Sequence, residues 1–486
     1  MKRSILVTLL GILILLLAAC STAANQTNAP AVDEVNQPAP TEEEAAAPIE
    51  ESAPELFGDS LRGGLLYDQW WEALGLDAPE VDHPLWTTQT SNTRSGDDTW
   101  RCKECHGWDY KGTDGAYGSG SHSTGFTGVI QMTGSDPNEV LAALLGATNP
   151  DHDFSAVMDD QALTDLALFI SQELVDYSQM IGEEKAALST DIATGNDLFQ
   201  ETCSECHGPE GLAVNFGKLV TDLEYVGGLA AGNPWEFLHK ARFGQPGTEM
   251  PSGIDIGWSL EEQGALLAFV QTLPNENPVT QGGLLWDKWW KAMGIDAPEV
   301  DHPLWVTQTD NTRSGDDTWR CKECHGWDYK GAAGAYASGS HFTGFTGVLG
   351  STDDPLGWLD GSANADHDFS AYMDDSAMSM MVAFLQEGTI DMSTYINDDK
   401  TVNADAGAGQ ALFEIGCSSC HGDDGQAINF NEDDPTFLGD AANDNPWEVL
   451  HKAANGQPAE HMPSGINLGW SWEDLAAVIS YVQTLQ

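Results

Sequence analysis

Basic side chains are scarce in this chain. Its 486 residues include 19 lysines and arginines against 76 aspartates and glutamates, which gives a formal net charge of −57. So acidic a surface repels phosphate backbones and anionic lipid headgroups, which excludes nucleic acid as a partner and suits basic protein partners or a salty medium. We also find no nucleotide-binding loop, catalytic triad or βαβ pattern. Hydrophobic residues still make up 41% of the chain, enough for substantial cores.

The apolar run at the N-terminus is shorter than a typical membrane span. It covers residues 5–19 and follows Lys2 and Arg3, whereas a spanning helix needs roughly 20 apolar residues. A basic start before a short apolar core is typical of a signal peptide. The run ends in Leu-Ala-Ala-Cys20, which resembles a bacterial lipobox, where the cysteine is lipidated and becomes the new N-terminus. The alternative is an uncleaved anchor helix.

Both interpretations place the rest of the chain outside the cytoplasm. We predict a lipoprotein signal peptide over residues 1–20 and anchoring to a bacterial membrane through lipid on Cys20, since two acyl chains suffice for stable attachment. Residues 21–58 are rich in Ala, Pro, Glu, Asn and Thr and hold few large apolar side chains. They cannot bury enough surface to offset the entropy of ordering, so we predict a disordered tether.

Cysteine is restricted to nine positions, and all except Cys20 follow one pattern. The eight others form four Cys-x-x-Cys-His motifs: Cys102, Cys105 and His106; Cys203, Cys206 and His207; Cys321, Cys324 and His325; and Cys417, Cys420 and His421. This motif attaches c-type haem, because its two thiols bond to the haem vinyl groups and its histidine becomes the proximal ligand of the iron. We therefore predict four covalently attached haem c groups.

Other uses of these cysteines fit less well. A zinc ribbon needs two Cys-x-x-Cys pairs for each metal ion and no histidine after each pair. A thioredoxin-like motif would accompany a βαβ pattern, and bare dithiols in an exported protein would form disulfides. On its four motifs, the globular part, residues 59–486, resembles a tandem of class I c-type cytochrome domains. The resemblance implies small helical domains and electron transfer by haem iron.

The chain is a duplication. The segment TWRCKECHGWDYKG at residues 99–112 recurs unchanged at residues 318–331, and whole-unit self-similarity of this kind indicates a tandem repeat. We predict a mainly α fold of four cytochrome c-like modules in two dihaem repeats. The predicted boundaries are 59–185 for module 1, 186–276 for module 2, 277–400 for module 3 and 401–486 for module 4.

Modules 1 and 3 contain a loop-rich insertion that modules 2 and 4 lack. In module 1, 34 residues separate the Gly63–Tyr67 segment from Cys102, whereas three residues separate the matching Gly195–Phe199 segment from Cys203 in module 2. The insertions are rich in tryptophan: Trp70, Trp71, Trp86 and Trp100, matched by Trp289, Trp290, Trp305 and Trp319. Two interpretations stay open, namely a flap that covers a haem edge or joins modules, and a core insert without redox role.

The distal ligands of modules 2 and 4 are predicted from a Met-Pro loop before the final helix. Met250 and Met462 lie 43 and 41 residues after the proximal histidines, counted from 207 to 250 and from 421 to 462. A methionine beside proline in this loop resembles the axial methionine of class I cytochromes. The alternative for a methionine is a core-filling role.

Modules 1 and 3 offer both histidine and methionine. His152 and His367 lie 46 and 42 residues after the proximal histidines, close to the spacing in the other modules, whereas Met158 and Met373 lie 52 and 48 residues after them. Asp159 or Asp160 is also a natural N-cap, which leaves Met158 as a hydrophobic staple. We predict His152 and His367 as distal ligands, with the two methionines as alternatives.

The remaining candidate residues are less informative. We interpret His239 and His451, each in an Asn-Pro-Trp helix start, as structural. Four arginines flank the haem motifs and either bind haem propionates or lie solvated on the surface: Arg94, Arg101, Arg313 and Arg320. Four histidines stay unassigned, His83, His122, His302 and His341.

These patterns predict an exported, lipid-anchored tetrahaem cytochrome that passes single electrons between redox partners of a respiratory or extracellular electron-transfer chain. Six-coordinate irons leave no open site, so we expect an electron carrier and not an enzyme. The alternative is the electron-transfer subunit of an exported oxidoreductase that acts on a small inorganic substrate. A structural surface protein with haem as passive cargo is a third possibility.

Overall fold

In each of the four modules the first helix packs against the last, and a glycine permits the close approach. A Cβ atom at Gly63 would lie 2.2 Å from the carbonyl oxygen of Asp165, so no larger residue fits there. The same crossing recurs in every module: Gly195 meets the carbonyl oxygen of Ala265, Gly282 meets that of Met380, and Gly409 meets that of Ala477. The four predicted modules therefore share one helix-crossing arrangement.

This is a computed structural model, and it describes residues 55–350 and 353–485. The predicted signal peptide, Cys20 and all but the last four residues of the predicted tether lie outside the described residues. From residue 54 onward the chain forms one compact unit. Among the described residues, β-structure is limited to isolated bridges, which confirms the prediction of a mainly α fold.

The first half has ten α-helices within its described residues. They are α1 (Ser60–Leu74), α2 (Cys102–His106), α3 (Pro137–Leu144), α4 (Asp160–Gln172), α5 (Ile192–Thr202), α6 (Ser204–His207), α7 (Val226–Gly232), α8 (Pro234–Phe243), α9 (Gly253–Ile256) and α10 (Leu260–Val270). Short 3₁₀ turns connect several of them, including Pro84–Thr88 and Gly96–Trp100 in the insertion of module 1.

The second half repeats this order with nine α-helices in its described residues. They are α11 (Pro278–Met293), α12 (Cys321–His325), α13 (Pro355–Leu359), α14 (Asp375–Ala383), α15 (Ala406–Gly416), α16 (Ser418–His421), α17 (Leu438–Asp444), α18 (Pro446–Asn455) and α19 (Trp472–Val482). A π-helical turn, Phe384–Gly388, extends α14. The predicted module boundaries all fall outside the α-helices and stay predictions.

Side-chain caps fix where the last helices begin. The Asp159 carboxylate accepts the backbone N–H of Ala162 and starts α4, as the sequence predicts. In modules 2 and 4 a capping box starts the last helix, with Ser259 and Glu262 at α10 and Ser471 and Asp474 at α19. Each helix therefore begins shortly after the loop that holds the predicted distal ligand.

The tryptophans of module 1 divide between helix and insertion. Trp70 and Trp71 belong to α1, which runs on to Leu74, so the insertion proper begins only after them. Both are buried, and the Trp70 indole N–H donates to the carbonyl oxygen of Trp100 at 3.3 Å. The insertion thus folds back onto the helix it follows.

In each half both modules contribute to one shared hydrophobic core, and Val220 of the first half also packs in the core of the second. In the first half, His239 of α8 is buried among Tyr67 and Tyr110 of module 1. In the second half, His451 of α18 contacts Tyr329 in the same way. Within the described residues, no helix combines the length and the apolar character needed to cross a lipid bilayer.

Candidate haem sites

Each Cys-x-x-Cys-His motif forms a single helical turn that ends at a glycine. The motifs are α2, α6, α12 and α16, with α6 and α16 beginning one residue after their first cysteine. One turn brings the two sulfur atoms and the histidine to the same side of the segment. The next residue, for example Gly107 with φ of 77°, takes a left-handed conformation that favours glycine and turns the chain away.

The eight cysteines form no disulfide bond. Burial raises the pKa of Cys102, Cys203, Cys321 and Cys417 to about 12, so these thiols are neutral. A zinc site or a dithiol redox centre requires thiolates, which such surroundings disfavour. The cysteines therefore fit covalent attachment of haem better than either alternative.

In module 1 the proximal His106 and the predicted distal His152 face each other. Their ring centroids lie 6.2 Å apart. The Nδ1 atom of His106 lies 2.7 Å from the carbonyl oxygen of Thr127, and that of His152 lies 3.2 Å from the carbonyl oxygen of Ala143. A carbonyl only accepts, so Nδ1 carries the proton in both rings and Nε2 keeps its lone pair for a metal.

Module 3 repeats this geometry. The ring centroids of His325 and His367 are also 6.2 Å apart, and their Nδ1 atoms lie 2.7 Å and 3.0 Å from the carbonyl oxygens of Thr346 and Trp358. Burial lowers the pKa of both proximal histidines to about 4, which keeps them in the neutral form that binds metals. The structure therefore places side by side the two histidines that sequence spacing selected in each of these modules.

One cavity of about 310 Å³ joins the groups that a haem requires in module 1. Cys102, Cys105, His106 and His152 all lie on its wall. The rest of the lining is mostly apolar: Leu85, Trp100, Val129, Val140, Leu144, Phe154 and Ile170 are examples. Two thiols and two imidazoles around an apolar space fit a porphyrin with an iron at its centre.

Met158 occupies a different position. It is buried in the core of the first half, its backbone N–H donates to the carbonyl oxygen of Phe154, and it is not among the described residues that line the cavity. Met373 is buried in the second core in the same way. The geometry favours His152 and His367, and the distal assignment itself stays a prediction.

The proximal histidines of modules 2 and 4 have different surroundings. The Nδ1 atoms of His207 and His421 are buried and have no hydrogen-bond partner among the described residues. Met250 is half-buried in the loop between α8 and α9, and Met462 is half-buried in the equivalent loop after α18. Their ligation of iron likewise stays a prediction.

The interpretation of His239 and His451 as structural agrees with their contacts. The Nε2–H group of His239 donates to the carbonyl oxygen of Gly64 at 3.0 Å, and its Nδ1 accepts from the Tyr110 hydroxyl at 2.8 Å. His451 makes the same two contacts, with Gly283 and Tyr329. Both ring nitrogens are occupied, so neither histidine can bind iron.

His83, which the sequence left unassigned, lies on the haem cavity of module 1. Its ring contacts Trp100 and Phe154, with centroids 4.6 Å and 5.2 Å away. Nδ1 accepts the backbone N–H of Leu85, so the proton of the neutral ring is on Nε2 and the ring is a donor, not a metal ligand. His302 repeats this arrangement in module 3.

The four arginines that flank the haem motifs pair with buried carboxylates of the chain itself. Arg101 pairs with the buried carboxylate of Asp68, which also accepts from Lys240 at 2.7 Å. Arg94 pairs with the buried Glu104 at 3.1 Å. Arg320 and Arg313 follow them by pairing with Asp287 and Glu323. Binding of these arginines to haem propionates stays a prediction.

The acidic residue inside the first-module motifs is a feature that sequence reasoning missed. Glu104 is fully buried, where it contacts Lys103, Arg94 and His122. Burial opposes its ionisation, but His122 and the charges of Lys103 and Arg94 outweigh burial and lower its pKa to about 2. Its available signal was the identical Lys-Glu pair between the cysteines of modules 1 and 3.

Comparison with known proteins identifies two of the modules. A family model described as cytochrome c oxidase, cbb3-type, subunit III matches residues 190–270 and 404–482, which contain the motifs and methionines of modules 2 and 4. No curated protein matches the chain. A solved structure, thiosulfate dehydrogenase TsdBA from Marichromatium purpuratum in its as-isolated form, is 16% identical over 87% of this chain and 90% of that chain.

That alignment has a TM-score of 0.19, and a likeness at this level carries no argument about fold or activity. The family match and the four motifs are sufficient for the broad assignment, because cytochrome c domains bind haem c covalently through this motif. Residues 190–270 and 404–482 are therefore cytochrome c domains, which supports a role of the chain in haem-based electron transfer.

Proposed function

We propose that this protein is an exported, lipid-anchored carrier with four haem c groups that passes single electrons between redox partner proteins. The observation that carries the proposal is the pairing of two imidazoles, at His106 and His152 across one cavity and again at His325 and His367. In each of these modules both imidazoles would hold the haem iron. Such an iron exchanges electrons but has no free position for a substrate.

The side chains of module 1 would hold the haem in a fixed setting. Cys102 and Cys105 would bond to its vinyl groups, and His106 and His152 would be its axial ligands. Haem c bound there supplies an iron that gains and loses one electron. The carbonyl groups of Thr127 and Ala143 orient the two rings, which reduces the rearrangement that accompanies a change of charge.

In modules 2 and 4 we assign Met250 and Met462 as the distal ligands. Methionine raises the potential of a haem relative to histidine. Each half would then hold one haem of lower and one of higher potential, a difference that favours transfer in one direction. The partners we propose are redox proteins with basic docking surfaces, because the chain has a net charge of −57.

Export and anchoring rest on the N-terminal sequence. The apolar run before Cys20 is short for a membrane span and ends in a lipobox-like segment. Replacing Cys20 with Ser should therefore release the protein from membranes, which fractionation of cells would detect. Unchanged attachment of the variant would contradict the lipid anchor and favour the uncleaved helix.

Haem content and ligation are tested on the purified full-length protein. The denatured chain should exceed the mass of the processed, lipidated polypeptide by four haem masses, and the Cys102→Ser/Cys105→Ser variant by three. Spectroelectrochemical titration with magnetic resonance should show low-spin haems in two potential ranges. Fewer haems would contradict the motif assignment, and a five-coordinate haem would favour an enzyme or its electron-transfer subunit over a carrier.

A further inference from the structure

The two halves of the chain make several contacts, and one of them joins two haem-binding loops. Another is the hydrogen bond from the backbone N–H of Val220 to the carbonyl oxygen of Ala292 at 2.8 Å. Residues 208–216 follow the proximal His207 of module 2, and residues 461–469 follow the predicted distal Met462 of module 4. The backbone N–H of Ser464 donates to the carbonyl oxygen of Ala213 at 3.1 Å. The His461 ring, next to Met462, lies 3.3 Å from the carbonyl oxygen of Asn215.

Asn467 holds this contact together. Its side-chain amide donates to the carbonyl oxygen of Leu212 at 2.8 Å, across the boundary between the halves, and to the hydroxyl of Thr280 at 3.1 Å. Its side-chain oxygen accepts from Asn277, at the start of the second half, at 2.7 Å. The residue is 8% exposed, so all its hydrogen bonds are made within the protein.

Gly208 allows the two loops to approach. A Cβ atom at this position would lie 2.0 Å from the backbone oxygen of Asn467, which leaves no space for any side chain. Leu212 and Ala213 are 3% and 4% exposed under the contact. The loop directly after the proximal histidine of module 2 is thus covered by the loop directly after the distal ligand of module 4.

The equivalent positions on the other modules are not used in this way. Asp255 of module 2 stands where module 4 has Asn467, and it is exposed. Gly422 of module 4 stands where module 2 has Gly208, and a Cβ atom there would meet only Asp424 and Ala427 of its own loop at 3.2 Å and beyond. Because of the duplication, each of the two contact residues has an equivalent, Asp255 or Gly422, that does not take part in this contact.

We propose that Asn467 is a positioning residue that locks the haem-binding loops of modules 2 and 4 together and so provides the electron-transfer route between the halves. One electron passes between these two modules, one being oxidised as the other is reduced, with no bond or proton transferred. The proposal rests on the function proposed above, because it assumes a haem in each module. It adds that the path between the halves runs through the second modules.

The main test is Asn467→Asp with Asp255→Asn as its matched control. A carboxylate cannot donate to Leu212 and would be buried against its carbonyl oxygen, so the contact should weaken by roughly 1–3 kcal/mol. That free energy corresponds to about 5- to 150-fold faster hydrogen exchange at the Ser464 amide, measured on the haem-loaded protein. The exposed control should leave this exchange unchanged.

The functional measurement follows electrons between the halves. Magnetic interaction between haems in the oxidised protein, and electron equilibration after flash reduction, should both decrease several-fold in Asn467→Asp and not in Asp255→Asn. Absorption spectra and haem content should stay the same in both variants. Loss of Ser464 protection without any change in equilibration would overturn the proposed route.

A second pair of variants keeps the test independent of Asn467. Gly208→Ala and Gly422→Ala introduce the same backbone strain, because φ is 78° at Gly208 and 77° at Gly422. Only the new Cβ atom at residue 208 would meet the other half of the chain, at Asn467. Slower equilibration in Gly208→Ala alone supports the route, and equal effects contradict it. Absence of any electron exchange in the unaltered protein would instead overturn the proposed carrier function.

Discussion

The first and second modules of each half contain the same motif and place it in different surroundings. In module 1 the proximal His106 donates its Nδ1 proton to a carbonyl oxygen and faces a second imidazole. In module 2 the Nδ1 atom of His207 has no hydrogen-bond partner among the described residues, and the predicted distal ligand is a methionine. A hydrogen bond from Nδ1 makes the imidazole a more basic ligand. Both differences would lower the potential of a haem in module 1 relative to one in module 2.

This contrast is repeated in the second half, where His325 has the carbonyl partner and His421 has none. Duplication therefore preserved two kinds of site and not merely two copies of one. The covalent motif decides that haem is attached, whereas the distal loop supplies the predicted second ligand. A motif alone does not predict a potential, because the partner of Nδ1 is distant in sequence.

The largest expected effect is loss of the distal imidazole. In His152→Ala the haem of module 1 should become high-spin or recruit another ligand, while Cys102, Cys105 and His106 still hold it. Its potential should rise by a substantial part of the roughly 0.8 V range that axial ligands control. Magnetic resonance and a redox titration measure both effects, and His367→Ala should behave identically in module 3.

The matched control for this change is His122→Ala. His122 lies off the haem cavity beside Tyr117 and Glu104, so its loss should leave the spin state unchanged. If His152→Ala left all haems low-spin at their original potentials, His152 would not be a distal ligand and the two kinds of module would not differ in that ligand.

The two modules of each half differ in their haem sites but share a hydrophobic core. His239 belongs to module 2 and lies in the core of module 1, where burial lowers its pKa to about 3. His451 connects modules 4 and 3 in the same way, with its pKa lowered to about 4. Each half should therefore unfold as one unit, and a buried neutral histidine should make that unfolding sensitive to acid.

We expect stability to fall between about pH 6.5 and pH 5. The folded pKa of His239 lies below its usual value near 6.5, so the unfolded chain binds the extra proton and gains stability as the pH decreases. The loss should be about 2 kcal/mol for each of the two histidines over this range. Carboxylates contribute little there, since their unfolded pKa values lie near 4.

Urea unfolding at several pH values measures this loss. Replacing His239 with Gln should reduce stability at pH 7 and should also flatten the dependence on pH for the first half. A pH dependence that stayed the same in His239→Gln would assign the acid sensitivity to other groups. Separate unfolding of modules 1 and 2 would contradict the shared core.

The sequence predicted the features that depend on short spacing. Four haem motifs and the Asp159 cap follow from residues a few positions apart, and the structure contains the cap. Proximal-to-distal spacing also selected His152, because modules of one fold place equivalent loops at similar distances along the chain.

Contacts between distant residues could not be predicted in this way. Arg101 pairs with Asp68, 33 residues away, and Arg94 pairs with Glu104. The sequence showed only that both arginines flank a haem motif, and propionate binding is one interpretation of that position. Asn467 contacts Leu212 across 255 residues. The only sign of this contact in the sequence was that Asn467 stands where module 2 has Asp255. What this difference means depends on which of the two residues is buried.

The smallest expected effect concerns Met158 and Met373, the alternative distal ligands. Met158 is buried in the apolar core, and its backbone packs on Phe154 one turn before the Asp159 cap. Leucine has a similar volume and fills the same space, so Met158→Leu should cost less than about 1.5 kcal/mol. Its haem should stay low-spin at an unchanged potential, because the thioether does not line the cavity. The same result is expected for Met373→Leu. If Met158→Leu instead produced a high-spin haem while His152→Ala did not, all four haems would have histidine and methionine ligands, and the two kinds of module would differ only in their insertions.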